Sequence, residues 1–312
     1  MGSKIGSLGE SRTVYLQDLD GQVVAVDAYI ELYQYLTAIT DDWNDYIRND
    51  DGFPISHIIG LVSRNAAVLD HGVSPVYVFD GGFPELKTEE LEKRKHEGAE
   101  EAFWEAKANG NRKRAKKLAY KKVGVTDAMV DSAITVLNAM GIPSVRAPCE
   151  GESQCAQLVH EGTADHVVTN DHDTLCYGVP TMIKDWNASG AKRLDLETIL
   201  ESQDWTLEEL RWYAVLRGTD YNSSPKGVGK HRGRKIINES ESFDEVMDRA
   251  ESWDDVNRSR WMRVLELFDE PEVHRGVCLE WPECDLDALH DIAHGQYGMS
   301  ERQLQSYTKR LE

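Results

Sequence analysis

Gln22-Val23-Val24-Ala25-Val26-Asp27 is an apolar run that stops at a carboxylate. No polar residue breaks Val23 to Val26, so a strand built from it is apolar on both faces, as strands of a parallel sheet are. Working outward, Val76-Tyr77-Val78-Phe79 repeats the pattern and ends in Asp80, and His166-Val167-Val168-Thr169 leads into Asn170-Asp171. Ser144 to Arg146 and Pro180 to Ile183 read as shorter strands. Between them the spacing predicts helices over Tyr29 to Ile47, His57 to Leu69 and Pro84 to about Lys107. Two more are expected from a Thr126 cap to Met140, and from Glu150 to Glu161 with Gly162 as cap. After about Leu196 everything reads as helix. Strand and helix alternate through the first 185 residues, which predicts an α/β fold with a mostly parallel central sheet flanked by helices, followed by a helical C-terminal part.

The 312 residues carry 55 Asp plus Glu against 35 Lys plus Arg, a net charge of -20, and 40% hydrophobic residues, enough for a substantial core. No apolar run approaches the roughly 18–20 residues that span a bilayer, and the opening residues lack a signal peptide's apolar stretch. A soluble, intracellular, cytoplasmic protein is expected. None of Cys149, Cys155, Cys176, Cys278 and Cys284 forms a C-x-x-C pair, which argues against a zinc ribbon or disulfide framework. The scattered acids read as adaptation to a high-salt cytoplasm, as in a halophilic archaeon or its virus. Ser240 to Val256 reads as a solvated acidic surface.

Asp27, Asp80 and Asp171 stand at or just beyond three strand ends, where ligands of open α/β sheets bind. Glu150 with Glu152, Asp173 beside Asp171, and Asp220 bring the candidate carboxylates to seven. Acids sharing one crevice repel unless divalent cations neutralise them, and oxygen-only ligands favour Mg²⁺ or Mn²⁺ over zinc. Two such ions about 3.5–4 Å apart suit phosphodiester hydrolysis.

Two strongly basic segments of this acidic chain contain no acid. Lys107 to Lys122 holds eight basic residues in sixteen: Lys107, Arg112, Lys113, Arg114, Lys116, Lys117, Lys121 and Lys122. Like charges so dense call for an anionic partner, and a nucleic-acid backbone is the natural one. The second segment holds Lys226, Gly227, Gly229, Lys230, Arg232, Arg234 and Lys235. Its small residues let the backbone approach a phosphate at the start of a helix. Lys87 and Arg94 lie seven apart, on one helical face just after Asp80. They suit holding a substrate phosphate, or equally a solvated surface helix paired with Glu89, Glu90 and Glu92.

In their order and spacing, VVAVDAYIELYQYL, PVYVFDGGFPELKTEELEKRK, MGIPSVRAPCEGESQCAQLVHEG, VVTNDHDTLCYG and LRGTDYNSSPKGVGKHRGRKII resemble the structure-specific 5′ nucleases, specifically the flap endonucleases of the archaeal and eukaryotic type. The segments cover most of residues 20–238. The resemblance implies a Mg²⁺-dependent 5′ flap endonuclease with 5′–3′ exonuclease activity in DNA replication and repair. It makes Asp27, Asp80, Glu150, Glu152, Asp171, Asp173 and Asp220 the metal-site carboxylates, and Lys87 and Arg94 the basic catalytic residues. It also implies a helical arch over about residues 81–125, and a helix–two-turn–helix element that grips duplex DNA at Gly227 to Lys235. A K⁺ ion would sit on backbone oxygens near Ser224, Pro225 and Val228, and Gly2 would lie near the site. The expected division is a nuclease core over 1–222 and a helical DNA-binding part over 223–312, packed as one unit. Branched DNA is the expected partner of a monomeric protein. Sliding-clamp partnership is not expected, because the family's Gln-x-x-aliphatic-x-x-aromatic-aromatic tail pattern is absent. Cys149 and Gly151 stand where relatives often carry Ser and Ala, and Tyr29 replaces a small or polar residue. The alternatives are a catalytically silent DNA-binding module of the same fold and an RNA-cutting nuclease of the PIN type.

Overall fold

A computed structural model describes residues 4–82, 98–187, 189–250 and 255–311. Seven strands form one mixed sheet: β1 (Arg12–Val14), β2 (Val23–Asp27), β3 (Ser74–Phe79), β4 (Ser144–Arg146), β5 (His166–Val168), β6 (Thr181–Asn187) and β7 (Gly190–Asp195), in the order β1-β7-β6-β5-β2-β3-β4. From β4 to β6 all neighbours are parallel, while β7 and β1 add an antiparallel edge. The chain works from β2 out to β4 and then returns to β5 on the other side of β2. The β2/β5 boundary is therefore the point where strand order reverses.

The helices are α1 (Ala28–Ala38), α2 (Ser56–Asp70), α3 (Ala99–Ala108), α4 (Arg112–Lys122), α5 (Asp127–Ala139), α6 (Gly151–His160) and α7 (Leu196–Gln203). They continue with α8 (Leu207–Arg217), α9 (Lys230–Asn238), α10 (Phe243–Arg249), α11 (Asp255–Asp269), α12 (Leu286–His290) and α13 (Glu301–Thr308). The pleat explains why the strands are apolar throughout. Ala25, Val76 and Val78 enter a core with Cys155 and Leu158 of α6, Tyr213 of α8, Ile237 of α9 and Phe268 of α11. Val24, Val26, Tyr77 and Phe79 enter a second core with Leu32 of α1, Ile58 of α2, Val136 of α5 and Leu304 of α13. The residues after 222 thus pack on both faces of the sheet.

Several expectations need correction. The helix starting at Ala28 ends at Ala38, not Ile47. The Asp41 carboxylate accepts from the amides of Trp43 and Asp45 at 2.7 and 2.9 Å, and Asn44 turns to a φ of 60°, so a polar side chain closes a loop against the apolar spacing. Strands β1 and β7 were not expected: β1 has three residues, and β7 carries Lys192, Arg193 and Asp195. Between α11 and α12 the chain is not helical, contrary to the reading after Leu196. Within the acidic stretch Ser240 to Val256, Phe243, Val246 and Met247 are buried, so α10 is amphipathic rather than wholly solvated. Of the helix expected from Pro84, residues 84–97, with Lys87 and Arg94, lie outside the described residues; α3 covers its end.

Candidate active site

Asp27 is the last residue of β2 and caps α1, accepting from the Ile30 amide at 3.3 Å. Asp80 follows β3, and its Oδ1 accepts from the Gly151 amide at 2.6 Å. Glu150 precedes α6 and Glu152 lies in its first turn, where the helix's positive end favours a carboxylate. Glu150 accepts from the Tyr221 hydroxyl. Asp171 lies three residues beyond β5, with its Oδ1 accepting from the Asp173 amide at 3.0 Å. Asp220 lies in the turn after α8. Asp27, Asp80, Glu150, Glu152, Asp171 and Asp220 line one cavity of about 150 Å³ together with Tyr29 and Ile30. Asp173 is not among the lining residues; it is 1% exposed and lies behind Asp171. Six of the seven predicted carboxylates therefore meet at the carboxyl ends of the parallel strands.

Three residues missed in the sequence hold this arrangement. Thr169 donates to Asp27 at 3.1 Å and accepts from the Asp171 amide at 3.1 Å, tying the ends of β2 and β5 together. Tyr221 ties Asp220's turn to Glu150. At Gly81 a Cβ would lie 1.8 Å from the Ala147 carbonyl oxygen, so only glycine lets Asp80's loop lie against Glu150's. The Gly81 and Gly82 amides both donate to the Cys149 carbonyl, at 2.8 and 3.2 Å. Thr169 and Tyr221 each adjoin a carboxylate motif, which was the signal available. Gly2 lies outside the described residues; in the turn Lys4–Ser7, Gly6 leaves room for the ring of His172, the residue after Asp171.

Burial pushes the Asp27 carboxyl up to about 7, and the charges of Asp80 and then Asp171 push the same way against bonds from Ile30 and Thr169. Well below pH 3.8 the proton is held in both the folded and the unfolded chain, and between there and about 7 only the folded chain keeps it. As pH climbs through about 7 the folded chain must bury a charge, and stability is lost. Asp27→Asn should therefore raise the melting temperature of the metal-free protein at pH 8, by an effect on the order of a few kcal/mol that shrinks toward pH 4. Calorimetric melts at both ends of that range check it.

Among the described residues no three His, Cys, Asp or Glu side chains stand as a ready metal cage. The acids ring the cavity rather than closing on one point. An all-oxygen donor set with room for water suits Mg²⁺, which keeps several waters and binds through few carboxylates, and does not suit zinc.

The basic run forms α4 and the end of α3, a helical pair with its own small core of Phe103, Ala106, Ala115 and Ala119 backed by Trp43 and Leu118. Of its cations Lys122 turns inward, Lys107 is half-buried and Arg112 is exposed, and each has a partner within the chain. Lys122 Nζ lies 2.6 Å from Asp45, both side chains 3% exposed or less, above the rings of Tyr46 and Phe103. Lys107 pairs with Asp41 at 3.5 Å and lies over Trp104. Arg112 donates to the Asp42 carbonyl at 2.8 and 3.0 Å. Lys113, Arg114, Lys117 and Lys121 are exposed and Lys116 is half-buried. In the second segment Lys226, Gly227, Gly229, Arg232 and Lys235 are exposed, and Lys230 and Arg234 are half-buried at α9. Gly227 has a φ of 86°, which favours glycine.

Two family models match the chain, the XPG N-terminal domain over residues 4–101 and the XPG I-region over residues 141–220. Flap endonuclease 1 of Caenorhabditis elegans is 34% identical over 303 residues, 94% of this chain and 79% of that protein. Flap endonuclease 1 of Methanosarcina acetivorans is 31% identical, covering 100% and 96%. Among solved structures, flap endonuclease-1 from Methanococcus jannaschii superposes with a TM-score of 0.79 at 26% identity, covering 99% of this chain and 98% of that one. The catalytic core of Rad2 in complex with DNA substrate gives 0.75 at 26% identity, with the same coverage.

Proposed function

This chain belongs to the flap endonuclease family of XPG-type nucleases, and from that premise we propose that it cuts branched DNA at 5′ flap junctions through the carboxylate cavity at the β2/β5 boundary. The observation that carries the reading is the convergence of Asp27, Asp80, Glu150, Glu152, Asp171 and Asp220 on one cavity. So concentrated a negative charge beside a polyanionic substrate is productive only with divalent cations present. We assign Mg²⁺, with Mn²⁺ as a substitute, to these six residues with Asp173 behind them. Bound there as a pair, the ions would supply an activated water and neutralise the departing oxygen.

The remaining work falls to the chain itself. Glu150 and Asp80 are held by Tyr221 and Gly151, so their orientation precedes substrate. Lys87 and Arg94 are assigned to the developing charge on the phosphate, from their place in the sequence after Asp80. Arg112, Lys113, Arg114, Lys116, Lys117 and Lys121 are assigned to the flap side. Lys226, Gly227, Gly229, Lys230, Arg232, Arg234 and Lys235 are assigned to the duplex, with α9 presenting its N-terminus to a phosphate. Residues 1–222 would then be the nuclease core and 223–312 the helical part that carries the duplex grip. Products would be a 5′-phosphate and a 3′-hydroxyl.

The deciding experiment is cleavage of a 5′-labelled flap duplex with Mg²⁺ at low and molar KCl. Cutting at the junction that stops with EDTA is the expected result. Binding without cutting at any salt would instead favour the silent module, and preference for a matched RNA would favour the PIN-type reading. A salt optimum above the usual range would support a high-salt cytoplasm.

A further inference from the structure

The family resemblance implies a K⁺ ion on backbone oxygens near Ser224, Pro225 and Val228, and the arrangement of this loop does not fit one. Arg217, the last residue of α8, donates from Nη1 to the Val228 carbonyl. Ser224 Oγ donates to the Leu216 carbonyl at 3.0 Å and lies 3.5 Å from the carbonyl oxygens of both Pro225 and Val228. The Pro225 carbonyl also accepts from the Val228 amide at 3.2 Å. Three carbonyl oxygens thus gather around one hydroxyl, and a guanidinium takes one of them.

We infer that Arg217 is the built-in cation of this loop, so that the chain shapes its duplex-gripping turn without a bound monovalent ion. A cup of carbonyl dipoles favours positive charge, and a guanidinium is charged at every working pH. A second cation in the same cup would meet like charge at close range in a half-buried setting. The fold leaves room for the arginine: a Cβ on Gly233 of α9 would come within 3.1 Å of Arg217 Cδ. Arg217 therefore passes between α8 and α9, and its donor end reaches the loop that starts α9. It is a positioning residue, acting on DNA through the loop's shape.

This inference rests on the assignment of residues 226–235 to duplex DNA, and the experiment separates the two. Affinity for a labelled 5′-flap duplex is measured by fluorescence anisotropy without divalent metal, in KCl, NaCl and LiCl at equal ionic strength. The wild-type dissociation constant should agree across the salts to about twofold. Arg217→Gln should bind about tenfold more weakly in LiCl and recover in KCl, as K⁺ enters the vacated cup, while Arg217→Lys should stay indifferent to the salt. Wild-type binding about tenfold tighter in KCl than in LiCl would overturn the inference, as would a folded Arg217→Gln that loses equally in every salt or loses nothing. Should Arg217→Gln fail to fold by circular dichroism, the wild-type series still decides. Lys230→Glu with Arg232→Glu tests the underlying assignment: unchanged affinity there refutes the duplex grip, whatever Arg217 does.

Discussion

Asp171→Asn combined with Asp173→Asn should abolish cleavage and leave DNA binding intact. Asp171 lines the cavity and Asp173 lies directly behind it, with its amide donating to Asp171 Oδ1 at 3.0 Å. Asparagine keeps the shape and an accepting oxygen at both positions, so the turn is preserved. What is lost is two negative charges from the set that would hold divalent cations. Removing that hold should lower the single-turnover rate by at least about 10³, or roughly 4 kcal/mol of transition-state stabilisation. Affinity for flap DNA should be unchanged or slightly tighter, because repulsion of phosphate falls. A double variant that cuts at the wild-type rate would show that the reaction does not use this cavity.

The second large effect is on stability. Lys122→Met should destabilise the protein by about 3–5 kcal/mol, because it leaves the Asp45 carboxylate buried without its partner. The Lys122 and Asp45 side chains are 1% and 3% exposed, so water cannot substitute for the lost ammonium. Joining it with Asp45→Leu should recover much of the loss, since replacing both ends of a buried ion pair by apolar groups is often neutral. Lys121→Ala, one residue away and exposed, should change stability by less than about 0.5 kcal/mol. Chemical denaturation of the four proteins checks this. Equal stability of wild type and Lys122→Met would mean that the pair does not anchor α4.

The contrast between Lys121 and Lys122 shows where the sequence stopped being informative. Both belong to one basic run, and nothing local marks one as buried. The partner that turns Lys122 inward is 77 positions away in a loop first read as helix. Central strands were legible because burial on both faces leaves an unbroken apolar run, as in Val23 to Val26. Strands β1 and β7 were not, because Arg12–Val14 and Gly190–Asp195 are polar and take their conformation from their neighbours in the sheet. Carboxylates at strand ends could be named from sequence because chain direction alone brings those ends together. Gly81 could not, since its need for a bare Cα comes from the Ala147 carbonyl, far along the chain. Nothing in the sequence around Arg217 marks its role, which comes from its bond to the Val228 carbonyl eleven residues on.

The sheet order also governs how the protein comes into being. Strand β2 leaves the ribosome early, yet one of its neighbours is β5, and β1 must wait for β7 near residue 190. A nascent chain therefore carries unpaired strand edges through most of its synthesis, and these long-range closures are the slow part of folding. The cavity needs Asp220 from beyond the last strand, so no shorter N-terminal piece assembles its lining. An enzyme that cuts DNA backbone is thereby completed only when translation has passed that residue.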